Sequence, residues 1–112
     1  MFKIVLAHDG VEAGVMTYWE TDWRNQRVYE TGWSVLPEMQ GRGIATAAAR
    51  QVIERVRGHR RHRFLYAYPA LDNVASNAIC RNAGFTPIGE AVVEFPPGRP
   101  MSCTEWRVDL FA

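Results

Sequence analysis

The sequence predicts a single α/β domain in the order β-β-β-α-β-α-β-β, with a mixed, largely antiparallel sheet and two helices. Three observations predict it. Asp9-Gly10 stands between two apolar-rich runs and tolerates the positive φ angles that a two-residue hairpin turn demands. Farther on, Ile44, Ala48, Val52 and Val56 recur near helical spacing between two strand-like runs, an arrangement that makes those strands parallel neighbours through a right-handed crossover. The C-terminal third then offers a second, short helix and two further strand-like runs split by PPGRP.

Taken in order, FKIVLAH and VEAGVMTYWE are the hairpin strands, and the polar stretch TDWRNQ leads to a third strand, RVYETGWSVL, which stops at Pro37. The first helix follows as GIATAAARQVIERVR, with Gly58 predicted to end it. RFLYAYP is the fourth strand. LDNVASNAICRNAGF supplies Asp72 or Asn73 as N-cap, a helix from about Ala75 to Ala83 and Gly84 as its stop. PIGEAVVEF and SCTEWRVDL complete the sheet.

At 112 residues and 47% hydrophobic content, the chain suits one core that buries roughly two thirds of its unfolded surface. Thirteen Lys and Arg against twelve Asp and Glu give a net charge of +1, so no global field draws the chain to nucleic acid or membrane. Cys80 and Cys103 lack metal-type spacing, which suggests two free thiols, no metal site and a reducing compartment. With no membrane-length apolar run and no signal-peptide pattern at the N-terminus, a soluble cytoplasmic protein is expected.

The stretch LPEMQGRGIA, residues 36 to 45, carries the chemistry. A strand running into a glycine turn and then a helix start exposes unpaired backbone N–H groups at the positive end of the helix dipole, which favours phosphate. Gly41 and Gly43 allow close backbone approach, and Arg42 and Thr46 can add charge or a hydroxyl. The P-loop spacing and its lysine are missing. A Rossmann fingerprint fails because Thr46 holds the third glycine position, the next strand ends in AYP and a hairpin comes first.

Gln40-Gly41-Arg42-Gly43-Ile44-Ala45 resembles the Q/R-x-x-G-x-G/A signature of the GCN5-related N-acetyltransferase (GNAT) superfamily. ETGWSVLPEMQGRGIA is similar to that family's strand and helix start, and NVASNAICRNAGF to its later coenzyme-binding helix, so the resemblance spans residues 30 to 85. E-x-G-W with N-x-A-S-N is closest to the Rim-type enzymes that acetylate protein N-termini. The resemblance implies a metal-free acetyl-CoA-dependent transfer to a primary amine, with Gln40, Gly41, Arg42, Gly43, Ile44, Ala45 and Thr46 holding pyrophosphate. Trp33, Ser34 and Val35 would lie along pantetheine, the Val35 N–H polarising the acetyl carbonyl.

Glu30 shares a strand face with Gly32 and Ser34 and is the candidate general base, its alternative being a solvated carboxylate. Asn73, Ser76, Asn77 and Cys80 fall at offsets of three, four and seven, one face of a helix that by the resemblance would look toward the pantetheine and thioester, with Asn73 and Asn77 binding the coenzyme. The family's usual tyrosine acid is replaced by Cys80, so Ser76, Cys80 or water is left as proton donor, with a place in the core as the alternative reading of Cys80. The basic stretch VRGHRRHR lacks interleaved aromatics and reads first as a solvated helix end, second as a contact for the coenzyme's 3′-phosphate, and only third as an RNA site. Family members usually begin with a strand and helices that wall the acceptor site, whereas this sequence begins at the hairpin; the missing cover favours a homodimer, and a non-catalytic coenzyme A-binding module is the competing expectation.

Overall fold

The computed structural model describes residues 1–94 and 96–112; the last residue of the predicted strand PIGEAVVEF, Phe95, lies outside the described residues. The elements are β1 (Phe2–His8), β2 (Val11–Trp23), β3 (Gln26–Val35), a 3-10 turn (Pro37–Met39), α1 (Ile44–His59), β4 (Phe64–Ala67), α2 (Val74–Ala83), β5 (Thr86–Glu94) and β6 (Pro100–Asp109). They form one six-stranded sheet in the order β1-β2-β3-β4-β6-β5, in which only β3 and β4 run parallel.

That parallel junction is short. Tyr29, Glu30 and Thr31 pair with Leu65, Tyr66 and Ala67, and there the ladder between the two strands ends. Asp9 and Gly10 hold φ of 52° and 79°, as the predicted hairpin turn requires.

α1 buries Ala45, Ala48, Ala49, Val52, Ile53 and Val56, a stripe at spacings of three and one that faces the sheet. The alanines let the helix sit close. Both helices share one side with Met16, Tyr18, Tyr29, Leu65, Trp106 and Val108, and this layer is the hydrophobic core. The opposite sheet face carries no helix of the described residues; Glu30, Tyr66, Glu105 and Arg107 alternate onto it by strand parity.

Two boundaries differ from the sequence reading. The polar stretch TDWRNQ is not a loop: β2 runs to Trp23, β3 starts at Gln26, and Arg24 and Asn25 alone turn the chain with φ of 51° and 61°. Cross-strand pairing of Asp22 with Arg27 and of Trp23 with Gln26 outweighs the low strand propensity of these residues. Gly58 likewise does not end α1, which continues to His59 and closes at Arg60, whose φ is 54° and whose N–H donates to the Arg57 carbonyl. α2 begins at Val74, one residue earlier than predicted, with Asn73 as cap: its Oδ1 accepts from the Ser76 N–H at 3.0 Å. Gly84 at φ 104° stops it, and Phe85 N–H returns to the Cys80 carbonyl at 3.0 Å.

Candidate functional site

Where β3 and β4 part, a cleft of about 420 Å³ opens between the end of β3, the glycine turn, the start of α1 and one side of α2. Its wall from β3 is Trp33, Ser34 and Val35. β2 approaches this strand end closely: a Cβ on Gly14 would stand 2.1 Å from the Ser34 carbonyl oxygen, so no larger residue fits there. The sequence reading missed Gly14, although an isolated glycine inside a strand signals such an approach.

The turn that follows is held by its own side chains. Gln40 Nε2 donates to the Val35 carbonyl at 3.2 Å, folding the 3-10 turn back on the strand, and Arg42 Nη2 reaches the Glu38 carbonyl at 3.4 Å. Gly41 and Gly43 adopt φ of 77° and 75°, and a Cβ on either would meet nothing within 4 Å, because both border open cleft. Gly43 is the N-cap of α1 and supplies no side-chain cap. The first N–H groups of α1 therefore lack an intrahelical acceptor and lie on the lining formed by Ile44, Ala45 and Thr46. α2, by contrast, is capped by Asn73. The uncapped, glycine-flanked helix start bordering the cleft has the donors and the clearance that a phosphate group needs.

α2 contributes Asn73, Ala75, Ser76, Ala78, Ile79 and Asn82 to the opposite wall. Trp33 Nε1 donates to Ser76 Oγ at 3.2 Å, bridging strand and helix across the cleft. At the far end Arg50 Nη2 donates to the Asn82 carbonyl at 2.7 Å and ties α1 to α2. Met39 also lines the cleft, and it, Ala75, Ala78, Ile79 and Asn82 were not singled out as site residues in the sequence; a two-residue shift in the predicted helix face would have exposed the last four.

The predicted helix face does not hold as a unit. Asn73 and Ser76 border the cleft, whereas Asn77 turns away: its Nδ2 donates to the Ala70 and Asn73 carbonyls at 3.0 and 2.8 Å, and its Oδ1 accepts from Trp106 Nε1 at 2.8 Å. Cys80 is fully buried in the core, and burial pushes its thiol up to about 12. Offsets of three, four and seven spread over enough helix arc that Ser76 meets the cleft while Asn77 and Cys80 meet the sheet.

Glu30 is not part of the cleft lining. It sits in the middle of the three β3–β4 pairs, between Trp19 on β2 and Tyr66 on β4, on the sheet face away from the helices and just below the parting. Burial pushes its carboxyl above the ordinary glutamate value. Within the basic stretch, Arg57 pairs with Glu54, Arg61 and His62 with Glu20, and Arg63 with Asp109.

A family model for the acetyltransferase (GNAT) domain matches residues 1–86. The chain belongs to the GNAT acetyltransferase family. Solved structures agree with the GNAT fold. An N-acetyltransferase from Staphylococcus aureus Mu50 superposes with a TM-score of 0.78 at 22% identity, over 96% of this chain and 67% of that one. A ribosomal-protein-alanine N-acetyltransferase from Brucella melitensis gives 0.75 at 24%, over 96% and 67%. The protein yncA from Salmonella typhimurium, solved with its cofactor acetyl-CoA, gives 0.69 at 24%, over 91% and 60%. At these identities the likeness is one of fold, and the chain spans 60–67% of the length of these three proteins. A comparison with curated proteins returned no match. Among the described residues of this GNAT domain, no helix is long and apolar enough to cross a membrane.

Proposed function

We propose that the chain is an acetyl-CoA-dependent N-acetyltransferase that passes the acetyl group directly to a primary amine, either a protein N-terminus or a small molecule. The observation that carries the reading is the uncapped start of α1, bordered by Gly41 and Gly43 in left-handed conformations and lining a cleft at the β3–β4 parting. Backbone N–H groups from Gly41 to Thr46 bind the coenzyme's pyrophosphate, aided by the helix dipole. Trp33, Ser34 and Val35 present strand backbone to the pantetheine arm, and Asn73 faces it from α2.

In the transfer, the amine lone pair attacks the thioester carbonyl carbon, the carbon–sulfur bond breaks, and the amine proton leaves to a base. Glu30 is that base, directly or through water; its burial raises its affinity for the proton. Ser76, rather than the buried Cys80, is the residue placed to hydrogen-bond the departing sulfur. Because Ser76 Oγ already accepts the Trp33 indole proton, its own hydrogen is free for another acceptor, and the proton the sulfur takes is resupplied by water. Arg42, whose side chain reaches the Glu38 carbonyl, adds positive charge beside the turn.

The reading extends to a cytoplasmic homodimer. It is supported by two open sheet edges, β1 and β5, the latter with Val92 67% exposed. Sedimentation of the full chain tests the dimer.

Calorimetry with acetyl-CoA, followed by thiol release against a panel of amines and N-terminal peptides, tests the function. Submicromolar to micromolar binding with turnover is expected. No heat and no thermal stabilisation at millimolar acetyl-CoA would sink the reading, since a ligand far above its dissociation constant must stabilise the fold. Tight binding without thiol release from any amine identifies a non-catalytic coenzyme A-binding module instead.

A further inference from the structure

The sheet face without helices holds a second arrangement of charge and aromatic surface. Thr17 pairs with Gly32 on this face, and the β3–β4 and β4–β6 registers place Tyr68 and Glu105 next in the same row, one step beyond Glu30 and Tyr66 toward the parting. Glu105 is 1% exposed, yet both of its oxygens are taken by the tip of the β2–β3 hairpin: Trp23 Nε1 donates to Oε2 at 3.2 Å and Arg24 Nη2 to Oε1 at 2.9 Å. In a flat sheet the Trp23–Gln26 row would lie about 20 Å along the strands from the Gly32 row. The hairpin therefore arches over the helix-free face and sets its cation on Glu105.

Aromatic rings line the same spot. Arg24 lies 5.1 Å over the Trp23 ring, Trp23 meets Tyr68 edge-on at 5.7 Å, and Tyr68 stacks on Tyr66 at 5.9 Å. Tyr68 Oη is buried and has no hydrogen-bond partner among the described residues; burial first, then the charges of Glu105 and Glu30, oppose its ionisation.

We propose that this is where the acceptor is recognised: Glu105 takes a second positive charge carried by the acceptor amine, and Arg24 is an exchangeable latch that holds the place until such an acceptor arrives. The proposal rests on the acetyl-transfer reading above for the reacting end of that acceptor. A buried carboxylate without a cation is costly, so Glu105 needs a partner at all times. The Arg24 side chain is 57% exposed and hangs on a two-residue turn, so it can swing out to water once another cation takes its place on Glu105. Replacing one cation by another leaves the carboxylate paired and lets the incoming N–H groups reach Tyr68 Oη and the aromatic faces. Glu30 and Glu105 are about 12 Å apart at Cα, from one step along the strand and two strand spacings across. An acceptor spanning them carries its two nitrogens several methylenes apart, as an α,ω-diamine or polyamine does.

The test compares an α,ω-diamine with the monoamine of equal chain length on the full chain. Two readouts are used: initial rates of thiol release, and the shift of the Trp23 indole N–H resonance, which needs no turnover. The native chain is expected to favour the diamine. Glu105→Gln should raise the diamine KM roughly tenfold or more, with the monoamine KM and the acetyl-CoA Kd unchanged. Arg24→Met should lower the diamine KM, because the latch no longer competes. A Trp23 shift with diamine that is lost in Glu105→Gln supports the site even if no amine is acetylated, and then only the transfer reading fails. Equal response to both amines, or a diamine preference that survives Glu105→Gln, overturns the proposal. Should Glu105→Gln fail to fold, Arg24→Met decides alone: unchanged or weaker diamine binding overturns it.

Discussion

Gly43→Val isolates the phosphate cradle from the fold. The new Cβ meets no protein atom within 4 Å, so it creates no clash inside the molecule. What it does impose is a left-handed conformation on a branched residue, at φ 75°, which costs on the order of 1–2 kcal/mol. For a domain of this size that is a fall in Tm of roughly 4–10 °C. The ligand suffers separately, because the valine side chain stands in the space through which phosphate oxygens approach the α1 N–H groups. Losing one charge-assisted hydrogen bond is worth about 1.5–3 kcal/mol, which is roughly a 10- to 150-fold weaker acetyl-CoA Kd. Gly10→Val provides the control: Gly10 has φ 79°, open space around its Cβ and a place in the β1–β2 turn, outside the cleft lining. Thermal melts and calorimetry on both variants should show similar destabilisation, with affinity lost only at position 43. If both bind acetyl-CoA as the native chain does, the cradle is misplaced and the glycine turn merely starts a helix.

Glu30→Gln should leave acetyl-CoA affinity near native and lower kcat/KM. In the native chain burial has raised the Glu30 pKa, so its ionised, active form is lost as pH falls at a higher pH than for an ordinary glutamate. The acid limb of the native profile should carry that ionisation in addition to the acceptor amine's own, and only the Glu30 part should vanish in the variant; an unchanged profile refutes the base. Trp33→Phe keeps a ring in the wall but deletes the donor to Ser76, and is expected to lower kcat several-fold with the acetyl-CoA KM near native. A variant whose loss lies wholly in KM would mean that the Trp33 side chain, and not only its backbone, serves coenzyme binding. Cys80→Ala should retain activity and lose about 1 kcal/mol of stability, measured by urea unfolding, since the thiol is core; loss of turnover in a folded variant would restore Cys80 as a proton donor.

Local rules carried much of the fold in the sequence. Asp9-Gly10 announced a hairpin because few other pairs accept two positive φ angles, and the α1 stripe was legible because its period matches the helix. The candidate cradle was legible for the same reason: Gly41 and Gly43 stand two positions apart within one turn, so a local motif describes a local structure. Where the reading erred, a partner distant in sequence decided. Thr21, Asp22 and Trp23 looked like loop residues because nothing local shows that they pair with Val28, Arg27 and Gln26, or that Glu105, some eighty residues away, receives the side chains of Trp23 and Arg24.

By itself, then, the sequence determined what is set within a turn or a helical repeat: the element order, the parallel crossover, the glycine turn and the residues available for chemistry. Tertiary structure alone decided which of those residues meet. It put Ser76 beside Trp33 at the cleft while burying Cys80 and binding Asn77 to Trp106, a choice made by how α2 rolls against the sheet. It also set Glu30 and Glu105 on one helix-free face, because strand parity is local but the register between β3, β4 and β6 is fixed only when the whole core packs.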